Sequence, residues 1–108
     1  MKKDFSCERV TICKLSTNIN KDGEWVRCIE KYKETWAYIQ QTFIKGHMPY
    51  FRVLLSRHEV LPESFCIRIH NIFHIKTAPP ILSPDKEFLI ITCVPSERLK
   101  EGESYGKL

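Results

Sequence analysis

Short apolar runs that alternate with polar residues, each closed by a turn signal, constrain this chain more than any other feature. In Arg9-Val10-Thr11-Ile12-Cys13-Lys14-Leu15, Val10 and Ile12 fall on one side. A period of two marks a strand with one face buried, because successive side chains point to opposite faces. Tyr50–Arg57 repeats the pattern, with Phe51, Val53 and Leu55 set against Tyr50, Arg52 and Ser56. Phe65–Ile69 sets Phe65, Ile67 and Ile69 against Cys66 and Arg68. His70-Asn71 then turns the chain into Ile72–Thr77, where Phe73 and Ile75 are expected to face inward. Glu87–Val94 is the most apolar run and reads as a central strand covered on both faces. In that position, Ile90→Ala is expected to cost about 2–5 kcal/mol.

The segments between these runs break the chain. Ser16–Glu24 is polar and holds Asn18, Asn20 and Asp22-Gly23, a turn signal because Gly accepts positive φ. Pro79-Pro80 and Ser83-Pro84-Asp85-Lys86 read as a loop. The polar tail 96–108, with Gly102 and Gly106, reads as a last helical turn or a frayed end. One segment carries two readings. Trp25, Ile29, Tyr32, Trp36, Ile39 and Phe43 are spaced as a helical stripe free of Pro and Gly. The same segment also reads as two strands, Trp25–Tyr32 and Thr35–Phe43, split by Lys33-Glu34, and pattern leaves both open.

A length of 108 residues fits one domain, with its core at about 8–95. A chain of this size buries about 65% of its unfolded surface, enough for a core without metals or disulfides. With 43% hydrophobic and 28% charged residues, disordered and collagen-like classes are excluded. Several short strands at close spacing predict an all-β fold, a small antiparallel β-barrel or sandwich of about six strands with short loops.

The formal charge is +4, and all of the excess lies in residues 1–60, with 11 Lys/Arg against 7 Asp/Glu. No basic run exceeds Lys2-Lys3, so the charge by itself names no partner. The five cysteines, Cys7, Cys13, Cys28, Cys66 and Cys93, are odd in number and lack C-x-x-C spacing. They read as small apolar fillers in a reducing compartment, with neither a zinc site nor a disulfide framework. Met1-Lys2-Lys3-Asp4-Phe5 has no apolar stretch behind its lysines and predicts no secretory leader. No apolar run is long enough to span a membrane as a helix.

No motif for catalysis or cofactor binding stands out. His70 and His74 are four apart, but the turn expected at Asn71 separates them. Cys66 lies near His70 in an apolar strand, where nothing in the sequence lowers a thiol pKa. No catalytic residue, metal ligand or cofactor is therefore expected. Small barrels also bind single-stranded nucleic acid with aromatics on a basic sheet face. Tyr38, Tyr50 and Arg52 suit that role, with Trp25 or Trp36 to stack, and a single-strand binder is the alternative function.

The order of the runs carries a resemblance. Arg9-Val10-Thr11-Ile12 comes first, and a polar loop ending in Gly23 follows. Trp36-Ala37-Tyr38-Ile39 leads to a strand ending at Arg57. Cys66-Ile67-Arg68-Ile69 leads to Phe73-His74-Ile75, and Leu89-Ile90-Ile91-Thr92-Cys93 closes near Glu97. Across residues 8–97 this order resembles the head–tail joining proteins of tailed bacteriophages, also called head–tail adaptor, head-closure or stopper proteins. That family opens with Arg-Val/Ile-x-Ile/Leu and has Trp-Ala-x-Ile/Val after a Gly-containing loop. It ends with a Phe/Tyr-x-Ile strand and a Leu-x-Leu-x-Cys strand.

The resemblance implies an antiparallel β-barrel, strands at Glu24–Phe43, and no enzymatic activity. It implies a monomer in solution that joins the assembling virion in the bacterial host cytoplasm. There it would form a homo-oligomeric ring between the portal/connector and the tail-completion proteins, helping to retain packaged DNA. Many members carry a long segment before the strand that follows Trp-Ala-x-Ile/Val; here only Ile44-Lys45-Gly46-His47-Met48-Pro49 separates the two. Lys45, Gly46, His47 and Met48 are the candidate channel or partner contacts. Lys76–Lys86 is the alternative channel-closing loop.

Overall fold

The computed structural model describes residues 5–42, 49–96 and 104–107, the last four by backbone alone. The candidate contacts Lys45, Gly46, His47 and Met48 lie outside the described residues.

Among the described residues eight strands follow one another: β1 (Ser6–Ile19), β2 (Trp25–Thr42), β3 (Tyr50–Ser56), β4 (Phe65–Ile69), β5 (Ile72–Lys76), β6 (Ile81–Leu82), β7 (Phe88–Pro95) and β8 (Ser104–Lys107). Six of them close into a ring in the order β1-β4-β5-β7-β3-β2, with β2 returning to β1. Every pairing is antiparallel. The expected small antiparallel barrel of about six strands is the fold observed. β6 continues the edge begun by β5 along β7, pairing Ile81 with Ile90 and Leu82 with Leu89. β8 adds to β2 at Val26–Cys28, so within the tail read as a helical turn or a fray, residues 104–107 form a strand.

Alternation fills the barrel. Val10 and Ile12, Ala37 and Ile39, Val53 and Leu55, Phe65, Ile67 and Ile69, and Ile91 and Cys93 form one buried cluster. These are the positions that period two assigns inward. β4 differs from the expected one-sided strand, because Cys66 on its other face is also buried. There Cys13, Ile29, Cys66 and Phe73, with Leu15 against them, form a second apolar layer. β7 was expected to be covered on both faces. It is central, but Phe88, Ile90, Thr92 and Val94 remain half-exposed on its outer side.

In β5 the inward expectation is corrected at both residues: Phe73 is buried, but in the second apolar layer on the outer side of the barrel. Ile75 is exposed and His74 is buried in its place. The left-handed backbone of His70 (φ 51°) and Asn71 (φ 65°) makes a two-residue turn, and such a turn fixes the register of the hairpin. With Ile67 inside the barrel, its cross-strand partner His74 must be inside too. The His74 ring packs edge-on to Phe51 with centroids 4.6 Å apart, and its Nδ1–H donates to the Ile72 carbonyl at 2.9 Å. Burial holds its pKa below the ordinary 6.5, against the pull of hydrogen bonds to Ile72 and Ile67. The unfolded chain therefore takes up this proton first as pH falls. The His74 contribution to stability is level above about pH 7 and declines below about pH 6.5, until the folded pKa is passed. Urea midpoints from about pH 5 to about pH 8 should show that decline, and His74→Leu should flatten it.

Of the two readings of Glu24–Phe43, the helical one is corrected: Trp25–Thr42 is one strand. Trp25 (52% exposed), Tyr32 (44%) and Trp36 (60%) supply the stripe's period, yet all three face solvent. The buried residues are Ile29, Ala37 and Ile39. The two expected strands merge because Tyr32 is bulged: Ile12 opposes Lys33 while Cys13 opposes Lys31. A bulge bends the strand and shifts its alternation by one residue. Glu59, from the loop after β3, holds this bend. Its carboxylate pairs with Lys33 and accepts a hydrogen bond from Thr35 Oγ1 at 3.2 Å.

Candidate functional site

Pairing with β4 ends near Leu15, whose N–H donates to the Ser64 carbonyl at 3.0 Å. Past that point β1 and β2 continue together as a hairpin arm, the stretch expected to be a polar loop from Ser16. Asn20 closes its turn: its Oδ1 accepts the N–H groups of Asp22 and Glu24, both at 2.9 Å. Gly23 supplies the positive φ of 78°. Ile19 and Trp25 stand directly opposite each other at the tip, both more than half exposed.

The other end of β1 borders a second surface. Tyr38, Leu54, Ile90 and Ile81 form a row across the outer face, each paired with the next. Phe88 meets Tyr38 edge-on, with centroids 5.7 Å apart. Leu54, Phe88 and Ile90 floor a groove of about 690 Å³, flanked by Arg52 and by Phe5 just ahead of β1. Its remaining wall is the Ser83-Pro84-Asp85 turn. This turn belongs to Lys76–Lys86, which is tied to β7 through Thr77, Ile81, Leu82 and Ser83. Ser83 N–H donates to the Phe88 carbonyl at 2.8 Å, and Ser83 Oγ–H donates to Asp85 Oδ1 at 2.5 Å. The Asp85 carboxylate also accepts the Glu87 N–H at 3.0 Å, and the Ser83 bond above all holds its pKa below the ordinary value.

Of the residues the sequence singled out for stacking, Tyr38 and Arg52 meet around this groove. Tyr50 lies at the start of β3, opposite Thr42. Trp36 lies on the same outer side, with the Arg9 guanidinium 5.8 Å from its ring and Arg9 also paired to Glu34 at 3.5 Å. Trp25 is remote, at the tip of the arm. The groove's apolar floor was missed because Leu54, Phe88 and Ile90 come from two strands that only the topology joins. Exposed apolar residues in alternating strands were its one sequence signal.

A smaller hollow of about 350 Å³ lies at the barrel end beside Ser6, Glu8, Gln41 and His70. Ser6 Oγ–H donates to Glu8 Oε2 at 2.7 Å, and the His70 ring contacts Glu8 Oε1. The Ser6 bond first, and His70 after it, hold the Glu8 carboxyl below its usual pKa, against its desolvation. The carboxylate thus sits between the hydroxyl and the imidazole. A nucleophilic serine needs the imidazole beside it to take its proton, so this order does not activate Ser6.

His70 is exposed while His74 is buried, so the two do not share a site. Cys66 is fully buried, and burial pushes the Cys93 thiol up to about 12, where it stays protonated. No disulfide joins the cysteines. Among the described residues no group of three or more His, Cys, Asp or Glu could hold a metal ion, and no helix is long and apolar enough to cross a membrane.

No family model matches the chain, and no curated protein matches it. Its fold is similar to the solution structure of protein SF1141 from Shigella flexneri 2a, with a TM-score of 0.70. That likeness covers 92% of this chain and 100% of the other at 15% sequence identity, a level that speaks for the fold alone.

Proposed function

We propose that this chain is a non-enzymatic structural protein of a phage or phage-like particle, joining the portal/connector of the DNA-filled head to the tail. The observation that carries the reading is where the ordered motifs fall. Arg9–Ile12 lies in β1, Trp36–Ile39 in β2, Cys66–Ile69 in β4, Phe73–Ile75 in β5 and Leu89–Cys93 in β7. Each motif thus belongs to a strand of the closed ring, and all but Phe73–Ile75 supply apolar side chains to its core. A joining protein needs partner surfaces on a rigid frame, and the outer groove and the projecting hairpin suit that need. A ring of copies would also multiply the +4 charge into a larger field around a DNA channel.

The purified chain should co-sediment with portal–connector assemblies at tens of micromolar. Its remaining in the supernatant at that concentration would count against the reading.

A second reading rests on the arginines beside the aromatics: Arg9 over Trp36, and Arg52 near Tyr38. It makes the outer face a single-strand nucleic-acid platform. It requires affinity for a short oligothymidylate that falls steeply as salt rises. No binding at low salt removes it.

A further inference from the structure

The hairpin tip and the groove lie at opposite ends of one strand: Phe5 precedes the first residue of β1, and Ile19 is its last. A 14-residue extended strand is roughly 45 Å long, which separates the two surfaces within one copy. Their chemistry is complementary. The tip presents Ile19 and Trp25, paired and exposed, beside a turn bearing Lys21 and Asp22. The groove presents the apolar floor of Leu54, Phe88 and Ile90 between Arg52 and Asp85. Apolar meets apolar, and Lys21 and Asp22 at the tip have charges of opposite sign, Asp85 and Arg52, at the groove.

We propose that the occupant of the groove is a second copy of this chain, whose Ile19–Trp25 hairpin tip seats on Leu54, Phe88 and Ile90. Asp22 then meets Arg52, and Lys21 meets Asp85. Trp and Arg are the side chains that most often anchor interfaces, because each buries a large rigid area. The contact joins two different surfaces, so it is heterologous, and such contacts close into rings where the rotation between copies allows. The proposal deepens the joining reading by naming the surfaces through which neighbouring copies meet.

The test uses the full chain alone, with a benzophenone amino acid at position 19 in place of Ile19, so that Trp25 is kept. On irradiation at about 1 mM, a concentration suited to a weak contact, a cross-linked dimer should form. Its cross-link should map to residues 50–57 or 83–95. Asp22→Arg and Arg52→Glu, both at exposed positions, should each lower the dimer yield about fivefold, the upper range for one exposed ion pair. Mixing the two variants should restore the yield, because the reversed tip then meets the reversed groove.

No dimer at that concentration, cross-links to other segments, or a mixture no better than either variant alone would overturn the proposal. Portal binding is not part of this assay. A chain that binds portal but shows no charge rescue loses this inference alone. A chain that shows rescue but ignores portal loses the joining function alone.

Discussion

Ile91→Ala lowers the unfolding free energy by about 3–4 kcal/mol, whereas Ile90→Ala one residue earlier costs under about 1.5 kcal/mol. Ile91 is fully buried in the barrel interior, between Val53 on β3 and the other inward side chains. Truncating it removes apolar contacts and leaves a cavity that a closed ring of strands cannot collapse to fill. Ile90 points outward between Leu54 and Ile81, where solvent already reaches it. The sequence pointed to Ile90 because its run of apolar residues hides the phase of the alternation. Urea unfolding with an unchanged m-value measures both variants. The reverse ranking would place β7 one residue out of register, since a single slip exchanges the faces of a strand.

Phe65→Ala costs about 3–5 kcal/mol, the range for a buried phenylalanine. Phe65 is 2% exposed and begins β4 at the seam where that strand meets Lys14 of β1. The Lys76 ammonium lies over its ring, 4.9 Å from the centroid. Lys76→Met separates the two contributions. It removes the cation–ring contact and leaves the ring buried, so it costs under about 1 kcal/mol. If the two substitutions cost the same, Phe65 is not part of the barrel core.

The strands that could be read from the sequence are those whose apolar side chains stay inside. Tyr50–Ser56 shows this most plainly, because Val53 and Leu55 are buried while Arg52 and Ser56 are exposed. The reading failed where surface residues imitate a core. Trp25, Tyr32 and Trp36 are exposed, and together they trace a helical period that the fold does not use. It also failed where tertiary pairing overrides local composition. Ser16–Ile19 is polar and still extended, because β2 pairs with it as far as Trp25. The 104–107 strand owes its form to a partner nearly 80 residues earlier at Val26–Cys28, which no local pattern announces. His74 entered the core because a two-residue turn fixed its register against Ile67, a geometric constraint stronger than its polarity. The candidate surfaces followed the same division. Tyr38 and Arg52 were legible as polar-edged outer residues, but the groove exists only where β3, β7 and the Ser83–Asp85 turn come together.

Electron microscopy of portal–connector assemblies mixed with the purified chain tests the joining function most directly. The account predicts an added ring of density below the connector, into which copies of the six-stranded barrel fit side by side. Assemblies that remain bare at tens of micromolar protein, or that carry single scattered copies without ring order, would contradict it.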